Sequence, residues 1–302
     1  MATTGSSDAR AHAPVSVTSP ARALAPALAW LVIGVGVVLG WGWVLLGQRL
    51  GATIGIESEV LANAVFYLIL FAPLAAIALG AAALSHVKAL RAGDSAGWWT
   101  GIGLALGAGG LLATLALSWL QGGVMVGTVP PAGGGVLLLG IVLMLFQTGV
   151  EEVFFRGWLQ PALIQRAGPL AGIAVTALCF CAFHVAGGAR APLSLVNIAL
   201  AGLFFGLLAW RSGGILASVA AHFAWNVIES SVLGLVPNPA NDVFGSLFDL
   251  DLGGAALWGG QEEGLNASIG TVAVLLALIV PLVWRTVGTV SPDLPAATPQ
   301  PA

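Results

Sequence analysis

Charge is what this chain has least of. Asp, Glu, Lys and Arg together fill 8% of its 302 positions, against 58% hydrophobic residues and a mean hydropathy of +0.97. A soluble domain of that length needs far more surface charge, so the balance argues against a water-soluble core and for a chain that crosses a membrane repeatedly. Net charge is −3 with no basic cluster, which leaves nucleic acid without a binding surface. Cysteine is nearly absent. Cys179 and Cys181 lie two apart on an expected helix, point to different faces, and provide neither a disulfide framework nor a metal knuckle. They read as small core residues. There is no HExxH and no repeat of fixed period. A short apolar run near the start is also missing. Residues 1–23 are rich in Ala, Ser, Thr and Pro and carry Arg10 and Arg22, and the apolar run after them is long, so a retained first span is expected rather than a cleaved signal peptide.

What the chain has is apolar length. About 20 apolar residues cross a bilayer, and eight windows qualify: near 27–47, 60–85, 98–120, 135–160, 169–188, 193–210, 214–234 and 268–287. The expected fold is all-α, a polytopic integral membrane protein of about eight transmembrane helices. Turn chemistry marks the breaks, at Gly168-Pro169, Gly187-Gly188, Ser212-Gly213-Gly214 and Pro237-Asn238-Pro239. Arg10, Arg22, Lys88, Arg91, Arg166, Arg211 and Arg285 fall on one side of such a bundle, and Arg49 and Arg190 on the other. The positive-inside rule then places both termini in the cytoplasm of a multi-pass cell-membrane protein. Asp242, Asp249, Asp251, Glu262 and Glu263 share a long loop on the far side. Trp41, Trp43, Trp98 and Trp99 near span ends read as interface anchors. Gly36/Gly40, Gly103/Gly107 and Gly202/Gly206 are pairs that let helices approach closely. The organisation read from this is an N-terminal tail at 1–23, a three-helix scaffold at 24–134, a reactive core at 135–234, an acidic loop at 235–267, and a last helix with a disordered Pro-rich tail at 268–302. The Ala- and Gly-rich composition points to a GC-rich bacterial source.

Three charged residues interrupt this pattern. Glu151, Glu152 and Arg156 end the apolar run Ile141 to Phe155. An ionised group near a bilayer centre costs about 3 kcal/mol and usually marks a functional site. Further polar groups follow on later windows: His184, then Asn197, then His222, Asn226 and Glu229. The first three windows hold almost nothing comparable. Glu152 and Arg156 stand at i and i+4 and can pair, with the acid on the favourable N-terminal side. Glu151 lies about 100° around the helix without that cation, which makes it the candidate general base. His222 and Asn226 share a face at i and i+4, and Glu229 continues it. Asn197 and Glu229 read as interhelical hydrogen-bonding groups. A carboxylate, two imidazoles, an amide and a guanidinium with no Ser or Cys nucleophile suit hydrolysis by an activated water. Glu151 and His184 would deprotonate and position it, and His222 with Asn226 would hold an oxyanion. A metal version uses His184, His222 and Glu151 as ligands of Zn2+. Asn is a poor zinc ligand and a good oxyanion donor, which favours the metal-free arrangement.

Glu151-Glu152-x-x-x-Arg156, Phe180-x-x-x-His184 and His222-x-x-x-Asn226 resemble the three motifs of the CPBP intramembrane proteases. That group contains the type II CAAX prenyl endopeptidases and the ABI and lysostaphin-resistance-like proteins. Flanking residues agree: Phe155-Arg156-Gly157 after the glutamates, and Gly202 to Gly206 through Arg211-Ser-Gly-Gly before His222. The resemblance covers about 140–230. It implies a membrane endopeptidase acting on a membrane-associated protein or peptide, with Glu151, Glu152, Arg156, His184, His222 and Asn226 as the catalytic set. Both metallo- and glutamate-dependent mechanisms are argued for that family. Two other classes fit the composition: a non-catalytic binding, immunity or envelope-maturation factor on the same fold, and a proton-coupled transporter, against which stands the lack of an inverted repeat.

Overall fold

The computed structural model describes residues 25–128, 133–236 and 242–287. The two expected tails and the turn at Pro237-Asn238-Pro239 lie outside the described residues. The protein is an all-α polytopic membrane protein, and each apolar window coincides with a helical segment. These are α1 (Pro26–Gly51), α2 (Glu59–Leu84), α3 (Ala96–Leu120), α4 (Gly134–Glu152), α5 (Gln160–Gly187), α6 (Pro192–Ser212), α7 (Leu216–Asn226) and α8 (Ile269–Val287). Five helical stretches among the described residues are long and apolar enough to span a bilayer. One of them, Gly134–Gly187, breaks at Gly168, whose φ of 82° and ψ of 168° are not helical. Glycine reaches that conformation without steric cost, and the chain reverses there. Prolines at the first turns of α1 and α6 suit N–H positions that need no helical partner.

Burial is patterned for lipid rather than water. α1 buries Ala29, Ile33, Gly36, Gly40, Val44 and Gly47 while Leu31, Val38 and Leu39 are exposed. Small residues face inward because packing, not dehydration, drives helices together in a membrane. All three glycine pairs find partners. A Cβ at Gly36 or Gly40 would strike Trp158 or Phe154, at Gly103 or Gly107 the backbone of Ala217 or Ala221, and at Gly202 or Gly206 Ala177 or Gln160. The second pair seats α7, which carries His222, directly against α3.

Two features have no counterpart in the apolar windows. Short π-helical segments, Val153–Leu159 and Val227–Val232, follow α4 and α7. Each begins immediately after a predicted site residue, Glu152 and Asn226, and π turns favour such places. All of Val150 to Gln160 is buried, so this segment is the centre of the bundle. A two-stranded antiparallel ladder also pairs β1 (Val124–Val126) with β2 (Leu250–Leu252), tying the α3–α4 connection to the acidic loop. That loop is anchored elsewhere too. Phe244 is buried edge-on to Tyr67. The Asn197 carboxamide donates to the carbonyls of Asn266 and Ser268, both at 2.9 Å, which tethers α6 to the loop end. Glu263 caps α6 by accepting from the N–H groups of Arg190 (2.8 Å) and Ala191 (2.7 Å). Burial acts to raise the Glu263 pKa, but hydrogen bonds from Ser194, Ala191 and Arg190 and the charge of Arg190 outweigh it and hold the carboxyl below its ordinary range.

Candidate active site

The break at Gly168 sets the depth of the site. Glu151 stands 17 residues before Gly168 and His184 16 after it. With a rise of about 1.5 Å per residue both lie at nearly the same distance from the turn. Ending the fourth window at 160 would leave the two at different depths; the helix in fact continues past Gln160 to Gly168, and that extension brings them level. Phe155 meets Phe180 and Phe183 across the hairpin, each with ring centroids 5.1 Å apart.

Glu152 is fully buried. Its Oε1 accepts from Arg156 Nη1 at 2.8 Å and from His222 Nδ1 at 3.0 Å. The Arg156 guanidinium also donates to the Gly202 carbonyl at 3.0 Å and lies over the Phe180 ring, 4.6 Å from its centroid, a favourable cation–π contact. One helical turn on, Gln160 repeats the pattern by donating to the Gly206 carbonyl at 3.0 Å. Gly202 and Gly206 lack side chains, so their carbonyls are open to these donors. The pair Glu152–Arg156, expected from its i, i+4 spacing, thus joins α4 to α6 and α7.

Glu151 is arranged differently. Its Oε1 accepts from Gln147 Nε2 at 3.0 Å. Its Oε2 is buried without a hydrogen-bond partner among the described residues and stands 3.9 Å from His222 Nε2. His222 therefore bridges the two glutamates. An ionised carboxylate only accepts, so the Nδ1 facing Glu152 carries the proton, an assignment that rests on this hydrogen bond. The imidazole is stacked on Phe205 at 4.7 Å and 19°. His184 directs Nδ1 at the Phe180 carbonyl, 2.9 Å away. The carbonyl accepts, so Nδ1 carries the proton there too and Nε2 keeps its lone pair. The Phe180 ring lies between the imidazoles, with centroids 4.4 Å from His184 and 6.0 Å from His222, and His184 is in electrostatic reach of Glu151 and His222.

The structure thus brings Glu151, Glu152, Arg156 and His222 into one contact network. His184 joins it through Phe180 and through charge. Asn226 is half-buried, one turn beyond His222. Asn197 instead bonds the end of the acidic loop, and Glu229 is buried about two turns beyond His222. Gln147, Gln160 and Phe205 carry contacts that the reading of charged residues and histidines passed over. The signal for Gln147 was its i−4 spacing from Glu151. Among the described residues no three His, Cys, Asp or Glu side chains are grouped to hold a metal ion. His184, His222 and Glu151 are not grouped at that spacing.

No curated protein matches the chain. A family model does, over residues 133–228, a stretch that spans α4 to α7 and contains all six predicted site residues. That model is described as type II CAAX prenyl endopeptidase Rce1-like, the group that the three motifs resemble.

Proposed function

We propose that the protein is an intramembrane endopeptidase in which Glu151 and His184 activate water and His222 and Asn226 stabilise the oxyanion. The observation that carries this reading is the unpartnered Glu151 Oε2, buried and facing His222 Nε2 at 3.9 Å. A buried carboxylate oxygen without a donor is costly, and a water or a substrate group fills that need. Water held between Glu151 Oε2 and the His184 Nε2 lone pair attacks the peptide carbonyl carbon, and its proton passes to Glu151. The carbonyl oxygen becomes an oxyanion. Glu152, kept anionic by Arg156, supports a doubly protonated His222 whose Nε2–H donates to that oxygen together with the Asn226 amide. Collapse breaks the C–N bond, and Glu151 returns the proton to the departing amine. His184 takes the remaining proton from the new carboxylic acid.

In this reading residues 135–234 are the reactive core and 24–134 its scaffold. The family description makes a lipid-anchored or membrane-associated peptide the first substrate to try. Lys and Arg asymmetry supports cytoplasmic termini, which reporter fusions at each end can test. The activity test compares membrane proteomes of cells carrying the wild type, Glu151→Gln or His184→Ala. Whole-length membrane peptides accumulate in both variants if the reading holds. Cleavage that continues undiminished in both rejects it.

A further inference from the structure

We propose that Gln147 is a positioning residue that sets the rotation of the Glu151 carboxylate; the inference rests on the hydrolytic reading above. Gln147 sits one turn before Glu151 on α4, and its Nε2 donates to Glu151 Oε1 at 3.0 Å. A carboxylate on a two-carbon stem has a broad terminal torsion. Without a fixed donor its oxygens exchange freely. With Oε1 held by Gln147, Oε2 alone is presented to His222 Nε2 at 3.9 Å. No other hydrogen bond to the Glu151 side chain occurs among the described residues.

The neighbouring residue shows the contrast. Glu152 is locked by Arg156 and His222, two donors from two helices. Arg156 directs Nη1 and Nη2 to Glu152 and Gly202 and makes no hydrogen bond to Glu151 among the described residues. The orientation of Glu151 falls to a neutral amide on its own helix. A neutral donor suits the task, because it orients the carboxylate while leaving the full negative charge to act as a base. Gln147 is half-buried at the edge of the network and touches none of the atoms that react.

Three variants of the full chain in proteoliposomes test this: Gln147→Met, Gln147→Glu and Glu151→Gln. The probe is a fluorogenic peptide spanning a site that proteoliposomes carrying the wild type cut and protein-free liposomes leave whole. Losing the donor misplaces the base, so Gln147→Met lowers kcat about tenfold with KM within about twofold, as expected of a group acting only in the reaction step. Gln147→Glu is inactive at neutral pH and recovers on acidification, since a protonated carboxyl donates where a carboxylate cannot. Recovery also shows that the variant folds. A substrate-free readout accompanies the kinetics: the infrared carboxylate band that Glu151→Gln removes is displaced in Gln147→Met. A Gln147→Met protein with unchanged kcat and an unmoved band, beside an inactive Glu151→Gln, overturns the inference alone. A rise in KM without loss of kcat overturns it as well. Full activity in Glu151→Gln strikes instead at the hydrolytic reading, and the infrared band then decides Gln147 by itself.

Discussion

Two clusters share one turn of α4 and differ in how they treat their carboxylate. Around Glu152 a cation is in contact: Oε1 accepts from a guanidinium and an imidazole, and that guanidinium also meets the Gly202 carbonyl and the Phe180 ring, while Oε2 has no hydrogen-bond partner among the described residues. Around Glu151 no cation is hydrogen-bonded among the described residues: Oε1 has one neutral donor, Oε2 is likewise without a partner, and His222 Nε2 stands 3.9 Å from it. Burial alone therefore does not make a membrane acid reactive. The difference lies in what holds the other oxygen, a guanidinium and an imidazole at Glu152 and a single neutral amide at Glu151. The Glu152 cluster ties three helices together and holds His222 in one tautomer; the Glu151 side is the one proposed to take water and substrate.

The largest effect expected from breaking this contrast comes from Arg156→Met. It leaves the Glu152 charge buried without its cation, which costs about 3–5 kcal/mol. Thermal unfolding in detergent micelles reports this as a strongly lowered midpoint, and turnover falls with it. Next comes Asn226→Ala, at the proposed oxyanion donor. Losing one oxyanion donor lowers kcat by about 10²–10³-fold while the unfolding midpoint stays close to the wild type. A third variant, Gly107→Val, touches neither glutamate. Its added carbons meet the Ala221 backbone, push α7 from α3, and cost about 1–3 kcal/mol. Because His222 follows Ala221 directly, turnover drops too, and the Glu152 clamp loosens with the Glu151 rim.

The smallest effect lies at the loop. Glu263 is held below its ordinary value of 4.5, so its capping bonds stabilise the fold above that pH and are lost as pH falls beneath it. Glu263→Gln removes that acid-dependent part. The midpoints of variant and wild type then converge at low pH and separate slightly near neutrality, where Glu263 is charged and largely solvent-screened.

The sequence carried most of the fold and part of the site. Hydropathy alone located the eight α-helices among the described residues, because 20 apolar residues in a row have few other uses. The Glu152–Arg156 pair was legible because i, i+4 spacing is a property of one helix. The bond from Glu152 to His222 was not, since 70 residues and three turns separate them and no spacing rule crosses a bundle. The π segments after Glu152 and Asn226 were also hidden. They keep the same apolar residues and change only the hydrogen-bond register. Gln147 stood in plain view at i−4 from Glu151, but an uncharged amide in an apolar run carries less signal than a carboxylate.

The most direct measurement sets Glu151→Gln beside Glu152→Gln and records both thermal midpoint and turnover for each. The account predicts that Glu151→Gln stops turnover at a near-wild-type midpoint, and that Glu152→Gln lowers the midpoint because Arg156 loses its counter-ion. Turnover that persists in Glu151→Gln, or equal destabilisation by the two substitutions, would contradict it.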